Sequence, residues 1–377
     1  MKTKRVESAG GRRTKRHRCA PANRSLGNDK AIKELAIKAS VAGRREARME
    51  DVAKLAGVSA MTVSRALRNP AIVTPDTLER IEQAIETTGY LPNRIAGSLS
   101  SRRTNVIGLI VPSLRNAVFV ETIQGVADVL SPQFDLMIAH SGYSLKGEEA
   151  AVLAFLSQRV CGIILHNTKH TPRVRRLIRE AAVPCVETGN LGSAPIEMAV
   201  GFSNRKAACA MTEHLIGQGY RRIGFVSLPL KENDRAFERR AGYVEALEGH
   251  HIKVDPLLML EARPGLVSGG EALVNLVEGR RKVDAVFLTG DVLATGALLE
   301  ANRRGWKVPD DIAIAGSDDD ELQENVSPPL TSIRFPRYEI GRRAASMVMD
   351  RVAGRSSGSA ILDLGFEIIQ RASTKVR

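Results

Sequence analysis

The chain lacks a long apolar run. Nothing in its 377 residues reaches the length a transmembrane helix needs, so no membrane association is expected. Arg12-Arg13 is followed by no apolar region, so a secretory leader is not expected either. Cysteine is scarce. The four present (Cys19, Cys161, Cys185 and Cys209) are scattered without metal-ligand spacing and read as reduced thiols of a cytoplasmic protein. The seven histidines form no H-E-x-x-H set, so no metal is expected. There is no G-x-x-x-x-G-K-[ST], no G-x-G-x-x-G after a strand, and no nucleophile–base constellation. These absences argue against an enzyme and leave no cofactor to expect.

Positive charge is present in excess, and its placement is uneven. Of a net +13, residues 1–48 carry +11, from 15 Lys/Arg against 4 Asp/Glu. Residues 1–28 are rich in Arg, Lys, Gly and Ser and poor in apolar groups, the composition of a disordered arm. Asp29 to Ala42 has the spacing of a short helix. Such an arm beside a DNA-binding unit adds salt-sensitive, sequence-independent affinity. A solvated tail, or an overextended start of translation, reads equally well.

The stretch from Met49 to Ser100 carries the strongest pattern. Val52, Leu55 and Ala56 are apolar at helical spacing, and Val63, Ala66 and Leu67 repeat the pattern after a break at Gly57. Gly57 suits a joint that needs positive φ, and Ser59 suits the N-cap of the second helix. That makes a helix-turn-helix. With Val63, Ala66 and Leu67 turned inward, Ala60, Met61, Thr62, Ser64 and Arg65 face out, where a recognition helix meets the major groove. Arg65 matches guanine O6 and N7, Ala60 and Met61 match thymine methyls, Thr62 and Ser64 suit phosphates, and Ser59 is a further DNA-binding candidate. Thr74-Pro75-Asp76 starts a third helix, which Gly89 stops.

From Asn105 on, strands and helices alternate. Strands are expected at Val106–Val111, Leu136–Ala139, Gly162–Leu165, Val183–Glu187, Arg222–Val226, Ala285–Leu288 and Ile312–Ala315. Helices are expected between them, including Asn204–Gly217, Arg239–Leu247 and Asp291–Arg304. Alternation argues parallel sheets covered by helices on both faces. The units are too many for one sheet, so the fold class is an all-α headpiece followed by an α/β sensor of two doubly wound lobes. Ligands of such sheets sit at the carboxyl ends of strands.

Asp51-Val-Ala…Ala56-Gly-Val-Ser59…Thr62-Val-Ser-Arg65, followed by Gly89-Tyr-Leu-Pro-Asn93-Arg-Ile-Ala96…Leu99, resembles the lactose/galactose-repressor (LacI/GalR) family, from about Glu50 to near the C-terminus. The resemblance implies a dimeric allosteric repressor with a two-lobed sensor like a periplasmic sugar-binding protein. It gives a headpiece over 49–92 and a hinge over 93–104 that folds on the operator. In that hinge Asn93, Arg94 and Ala96 contact DNA and Leu99 wedges into the minor groove. Gly97 weakens the hinge helix by about 1 kcal/mol relative to Ala. Residues 105–377 form the effector-binding and dimerisation domain, with lobe 1 at about 105–203 and 333–377 and lobe 2 at about 204–332.

The resemblance also places effector contacts. Arg239 matches an R-x-x-G-[FYW] arginine and Asp318 a G-[FY]-D aspartate, expected to face each other across the cleft. Phe119, His166, Asn190 and Gly290 are further wall candidates. Pro264 stands where relatives often carry an aromatic platform, which weakens the case for a pyranose or purine. The run from Ser317 to Arg343 resembles the gluconate-operon repressor branch, which implies a sugar-acid effector. The expected partners are a pseudo-palindromic double-stranded operator, that effector and a second copy of the chain; without a trailing leucine heptad, a dimer is expected. The alternatives are an activator or corepressor-dependent regulator of the same family, or a cytosolic sugar-binding protein.

Overall fold

A computed structural model describes residues 47–91, 103–192, 194–290, 292–355 and 360–375. The basic arm through residue 46 and the hinge contacts Asn93, Arg94, Ala96 and Leu99 lie outside the described residues. The chain divides into two units, residues 1–93 and 94–377.

Among the described residues the first unit holds three α-helices, α1 (Met49–Ala56), α2 (Ala60–Arg68) and α3 (Pro75–Thr88). Val52, Ala53, Ala56, Val63, Ala66, Ile81, Ala84 and Tyr90 form its core. Gly57 ends α1 at φ 67°, the left-handed geometry a side chain disfavours, and Arg80 of α3 donates to the carbonyl of Ala56 at 3.3 Å. Ser59 caps α2 by accepting the Thr62 N–H at 3.1 Å, and Thr74 caps α3. Arg48 offers α1 no side-chain cap; instead Asp51 accepts the Arg48 N–H at 2.8 Å. Leu67 departs from expectation. It is 38% exposed because α2 turns its last residues off the small core, which Val63 and Ala66 already fill.

The second unit contains two six-stranded sheets. The first sheet is built from β1 (Val106–Val111), β2 (Asp135–His140), β3 (Gly162–Leu165), β4 (Cys185–Thr188) and β5 (Met198–Gly201). Between them run α4 (Val120–Leu130), α5 (Leu145–Ser157) and α6 (Pro172–Ala181). The chain then crosses to the second sheet. There α7 (Asn204–Gly217), β6 (Ile223–Ser227), α8 (Asp234–Gly249), β7 (Met259–Glu261) and α9 (Leu266–Val277) come first. They are followed by β8 (Ala285–Leu288), α10 (Leu293–Arg303), β9 (Ala313–Ser317), α11 (Glu321–Asn325) and β10 (Thr331–Arg334). A second crossing returns α12 (Arg337–Val352) and β11 (Ile361–Asp363) to the first lobe. β12 (Glu367–Ile369) goes back to the second.

The strand orders are β11-β5-β4-β3-β1-β2 and β12-β10-β9-β8-β6-β7. All neighbours are parallel except β10 and β12. Inner strands such as Gly162–Leu165 and Ala285–Leu288 are buried throughout, as sheets covered on both faces require. The expected C-terminal boundary needs correction. Residues after Asp363 do not stay in the first lobe, because β12 pairs antiparallel with β10 through Ser332 and Ile369. Ser373 then closes the second lobe by accepting the Thr331 N–H at 2.8 Å.

Gly57→Ala should destabilise the helical unit by about 1 kcal/mol, because the new methyl meets only Arg80 at 3.7 Å and the cost is backbone strain alone. Thermal unfolding followed by circular dichroism checks this; an unchanged or raised midpoint would contradict it.

Candidate nucleic-acid interface and effector cleft

In the first unit, α2 presents one polar flank. Met61 is 61% exposed and Arg65 is exposed, while Ala60, Thr62 and Ser64 are half-buried. Ser59 and Thr62 hydroxyls lie 2.8 Å apart, so the cap orders both at the N-terminal end of the helix. The free N–H groups of a helix N-terminus attract anions, and Met61 and Arg65 are exposed on the same helix.

In the second unit, a cleft opens between the lobes at the carboxyl ends of both sheets. Its empty space is about 630 Å³, the open mouth included. Three arginines line it: Arg235, Arg239 and Arg337. One carboxylate, Asp318, lines it with them.

Contrary to expectation, Arg239 and Asp318 do not oppose each other across the cleft. Both belong to the second lobe, on α8 and just after β9. The group that meets Asp318 from the first lobe is Arg337, at the start of α12, with Nη2 2.8 Å from Oδ1. Arg239 Nη2 lies 3.8 Å from the same oxygen. Arg239 is oriented by Nε donating to Asn204 at 2.8 Å and Nη1 to the Thr289 carbonyl at 2.7 Å. Both guanidinium groups lie against the Phe335 ring, at 5.5 and 5.7 Å from its centre. Phe335 in turn stacks on Phe202, at 3.9 Å between centres. Burial works against the charge of Asp318, but Arg239 and Arg337 overcome it and hold the carboxyl below its ordinary range. Asp318 adopts φ 87°, a strained angle for a non-glycine residue, held by its N–H on the Ile333 carbonyl at 2.9 Å.

A second set of bonds closes the cleft beside the first. Asp234, in the first turn of α8, accepts the Thr168 N–H at 3.2 Å, the Thr168 hydroxyl, and Asn190 Nδ2 at 3.2 Å. Arg235 returns the link, donating to the His166 carbonyl at 2.7 Å and Asn167 Oδ1 at 3.2 Å. The loop that receives them is fixed from beneath. His170 Nδ1 lies 2.7 Å from Glu148 Oε1, and its Nε2 lies 3.4 Å from Glu187 Oε1. Burial lowers the His170 pKa, but these two carboxylates outweigh it and raise it to about 9, so the imidazole is cationic at neutral pH.

Comparison with known proteins settles the family. Residues 48–93 match the model of bacterial regulatory proteins of the lacI family, and residues 212–374 match a periplasmic binding protein-like domain. The chain is 38% identical to the HTH-type transcriptional regulator GntR of Pseudomonas aeruginosa, over 86% of this chain and 95% of that protein. It is 36% identical to GntR of Escherichia coli K12, over 85% and 96%. A LacI-family transcriptional regulator from Silicibacter pomeroyi superposes with a TM-score of 0.80 at 30% identity, covering 87% of this chain and 99% of that one.

The chain belongs to the LacI family.

As a LacI-family chain it is a DNA-binding transcriptional regulator, and its relatives are regulators rather than enzymes. Regulators of this family bind operator DNA and small-molecule effectors. Among the described residues no helix is long and apolar enough to cross a membrane.

The LacI-type cleft gathers most of the effector candidates. Arg239, Asp318, Phe119, His166 and Gly290 all line it. Asn190 does not. It is 4% exposed and lies behind the wall, bonded to Asp234 and, through Oδ1 at 3.0 Å, to Asn204. Pro264 is exposed and outside the lining, and the second lobe supplies no aromatic in its place. The aromatic wall instead comes from Phe119 and Tyr143 of the first lobe and from Phe202 at the crossing. Arg235, Arg337 and Asn233 were not anticipated. Asn233-Asp234 is an N-cap followed by an acid, the signal of a helix that begins five residues before Arg239.

His170→Gln should destabilise the sensor by about 3 kcal/mol, since two buried carboxylates lose their counter-charge. Because the folded pKa is raised, the wild-type contribution is complete below pH 6.5 and is lost as pH rises through about 9. Urea unfolding at pH 6 and pH 9.5 checks both statements. A variant as stable as wild type, or a difference that grows toward alkaline pH, would contradict them.

Proposed function

We propose that this regulator is a homodimeric repressor of a carbohydrate or sugar-acid catabolic operon, released from its operator by a sugar acid such as gluconate. It acts in the bacterial cytoplasm, at the nucleoid. A two-fold dimer reads a pseudo-palindromic site, with Ser59, Ala60, Met61, Thr62, Ser64 and Arg65 at the major groove. The hinge residues Asn93, Arg94, Ala96 and Leu99 complete the contact in the minor groove.

One observation carries the effector class: three arginines line the cleft against one lining carboxylate. Asp234 beside Arg235 leaves one guanidinium in surplus, and a carboxylate accepts a guanidinium in bidentate geometry. Arg337 and Arg235 hold the acid end in this reading. Arg239 and Asp318 take hydroxyls, with Phe119, His166 and Gly290 as walls and Asn190 as support. The absence of an aromatic platform at Pro264 favours an acyclic chain over a stacked ring.

Operator selection from a random duplex library, with and without sugar acids, tests the whole reading. A palindrome released by an acid and indifferent to glucose is the expected result. Equal release by neutral sugars would overturn the effector class, and stronger binding with the acid would make the regulator corepressor-dependent. A promoter–reporter comparison with and without the gene separates repressor from activator. No enriched sequence would overturn the DNA-reading assignment. Arg65→Ala should cost about 1–3 kcal/mol at one base position and relax preference there, read by fluorescence anisotropy on the selected site. Arg337→Gln should weaken gluconate binding by about 1.5–3 kcal/mol in calorimetry; unchanged affinity would remove Arg337 from the ligand.

A further inference from the structure

The His166 ring stands at the cleft with its two nitrogens in different surroundings. Nδ1 lies 3.0 Å from the Thr188 hydroxyl oxygen. That hydroxyl is itself 3.4 Å from the Leu165 carbonyl, which can only accept. Thr188 is fully buried and has one proton to give. If the imidazole donates from Nδ1, both contacts become hydrogen bonds; if Thr188 donates to the ring, the carbonyl contact is lost. The first arrangement leaves Nε2 without a proton.

The other side of the ring agrees. Nε2 has no hydrogen-bond partner among the described residues, and the ring lines the cleft. Gly189 keeps its flank clear: a methyl there would sit 2.4 Å from Nε2, and the backbone holds φ 82°. Phe119 fixes the ring edge-on, at 4.9 Å between centres. Arg235, Arg239 and Arg337 make the cleft electropositive, which favours a lone pair over an N–H on that side. Asp234 beside the ring and Asp318 in the cleft lining oppose them.

We propose that His166 reads a ligand hydroxyl: Thr188 fixes the imidazole as the Nδ1–H tautomer, and the bare Nε2 accepts the hydroxyl proton of an acid held by the arginines. This rests on the sugar-acid reading of the same cleft. It assigns His166 to specificity. An acid lacking the matching hydroxyl leaves Nε2 unpaired, and an acid bearing it gains a hydrogen bond. Burial first, then the arginines, lowers the His166 pKa well below 6.5 despite Asp234. Binding is therefore flat above that pH and weakens only in acid, where a protonated ring can no longer accept.

Two measurements on the full chain test this. Nitrogen-15 spectra of histidine-labelled protein, without ligand, report which His166 nitrogen carries the proton. Calorimetry compares gluconate with its monodeoxy analogues on wild type, His166→Phe and Thr188→Val. The expected result is a protonated Nδ1, with one deoxy acid binding about fivefold to tenfold more weakly than gluconate to wild type. His166→Phe should bind the two acids alike, and Thr188→Val should shift the tautomer. A protonated Nε2 in the spectra overturns the proposal while leaving the effector class intact. Equal binding of every deoxy acid to wild type overturns it as well. No binding of any acid, whatever the tautomer, overturns it together with the sugar-acid reading.

Discussion

Arg337 and Asp318 bring opposite charges from two lobes into a place with little water. Buried charges of this kind are tolerated only when each is matched, and that constraint organises the sensor. It explains why Asp318 accepts a strained backbone angle after β9. It explains why α12 must cross back to the first lobe, since its first residue is the arginine. The close packing of α12 on α4 places that residue: Gly341 and Gly125 each leave no room for a methyl against the facing backbone. Phe335, under both Arg239 and Arg337, ties the two guanidinium groups to one rigid ring.

The charged groups of the cleft already pair with one another. A ligand that took Arg337 from Asp318 would break a bond that joins the two lobes. The Asp234–Thr168 and Arg235–His166 bonds sit beside that pair, on a loop anchored by His170 between two carboxylates. At the opposite end of the first lobe the chain is held separately. There Arg103 donates to the Ala181 and Ala182 carbonyls, at 3.2 and 2.7 Å.

The fold was largely legible. Gly162–Leu165 and Ala285–Leu288 are unbroken apolar runs with no other place to go than a covered sheet, and Asn204–Gly217 carries its own cap. What escaped was short or masked. β11 is three residues, too brief for any pattern, and the pairing of the equally short β12 with β10 decides the C-terminal topology. Gly269 and Gly270 hide the helix of α9. The site was legible where one residue made a motif, as with Arg239 and Asp318, though not their placement on one lobe. Arg235 was lost because α8 was read from Arg239 onward, and Arg337 because a lone arginine after proline carries no spacing to notice. Ser59 and Gly57 behaved as their chemistry requires, since caps and positive-φ joints are local properties.

Reciprocal titration is the first measurement to make: operator affinity across a gluconate series, and gluconate affinity with and without saturating operator. Linkage demands the same factor in both directions. The cleft described here predicts that gluconate weakens operator binding and that operator weakens gluconate binding by that factor. Gluconate binding in the cleft with no change in operator affinity would contradict it.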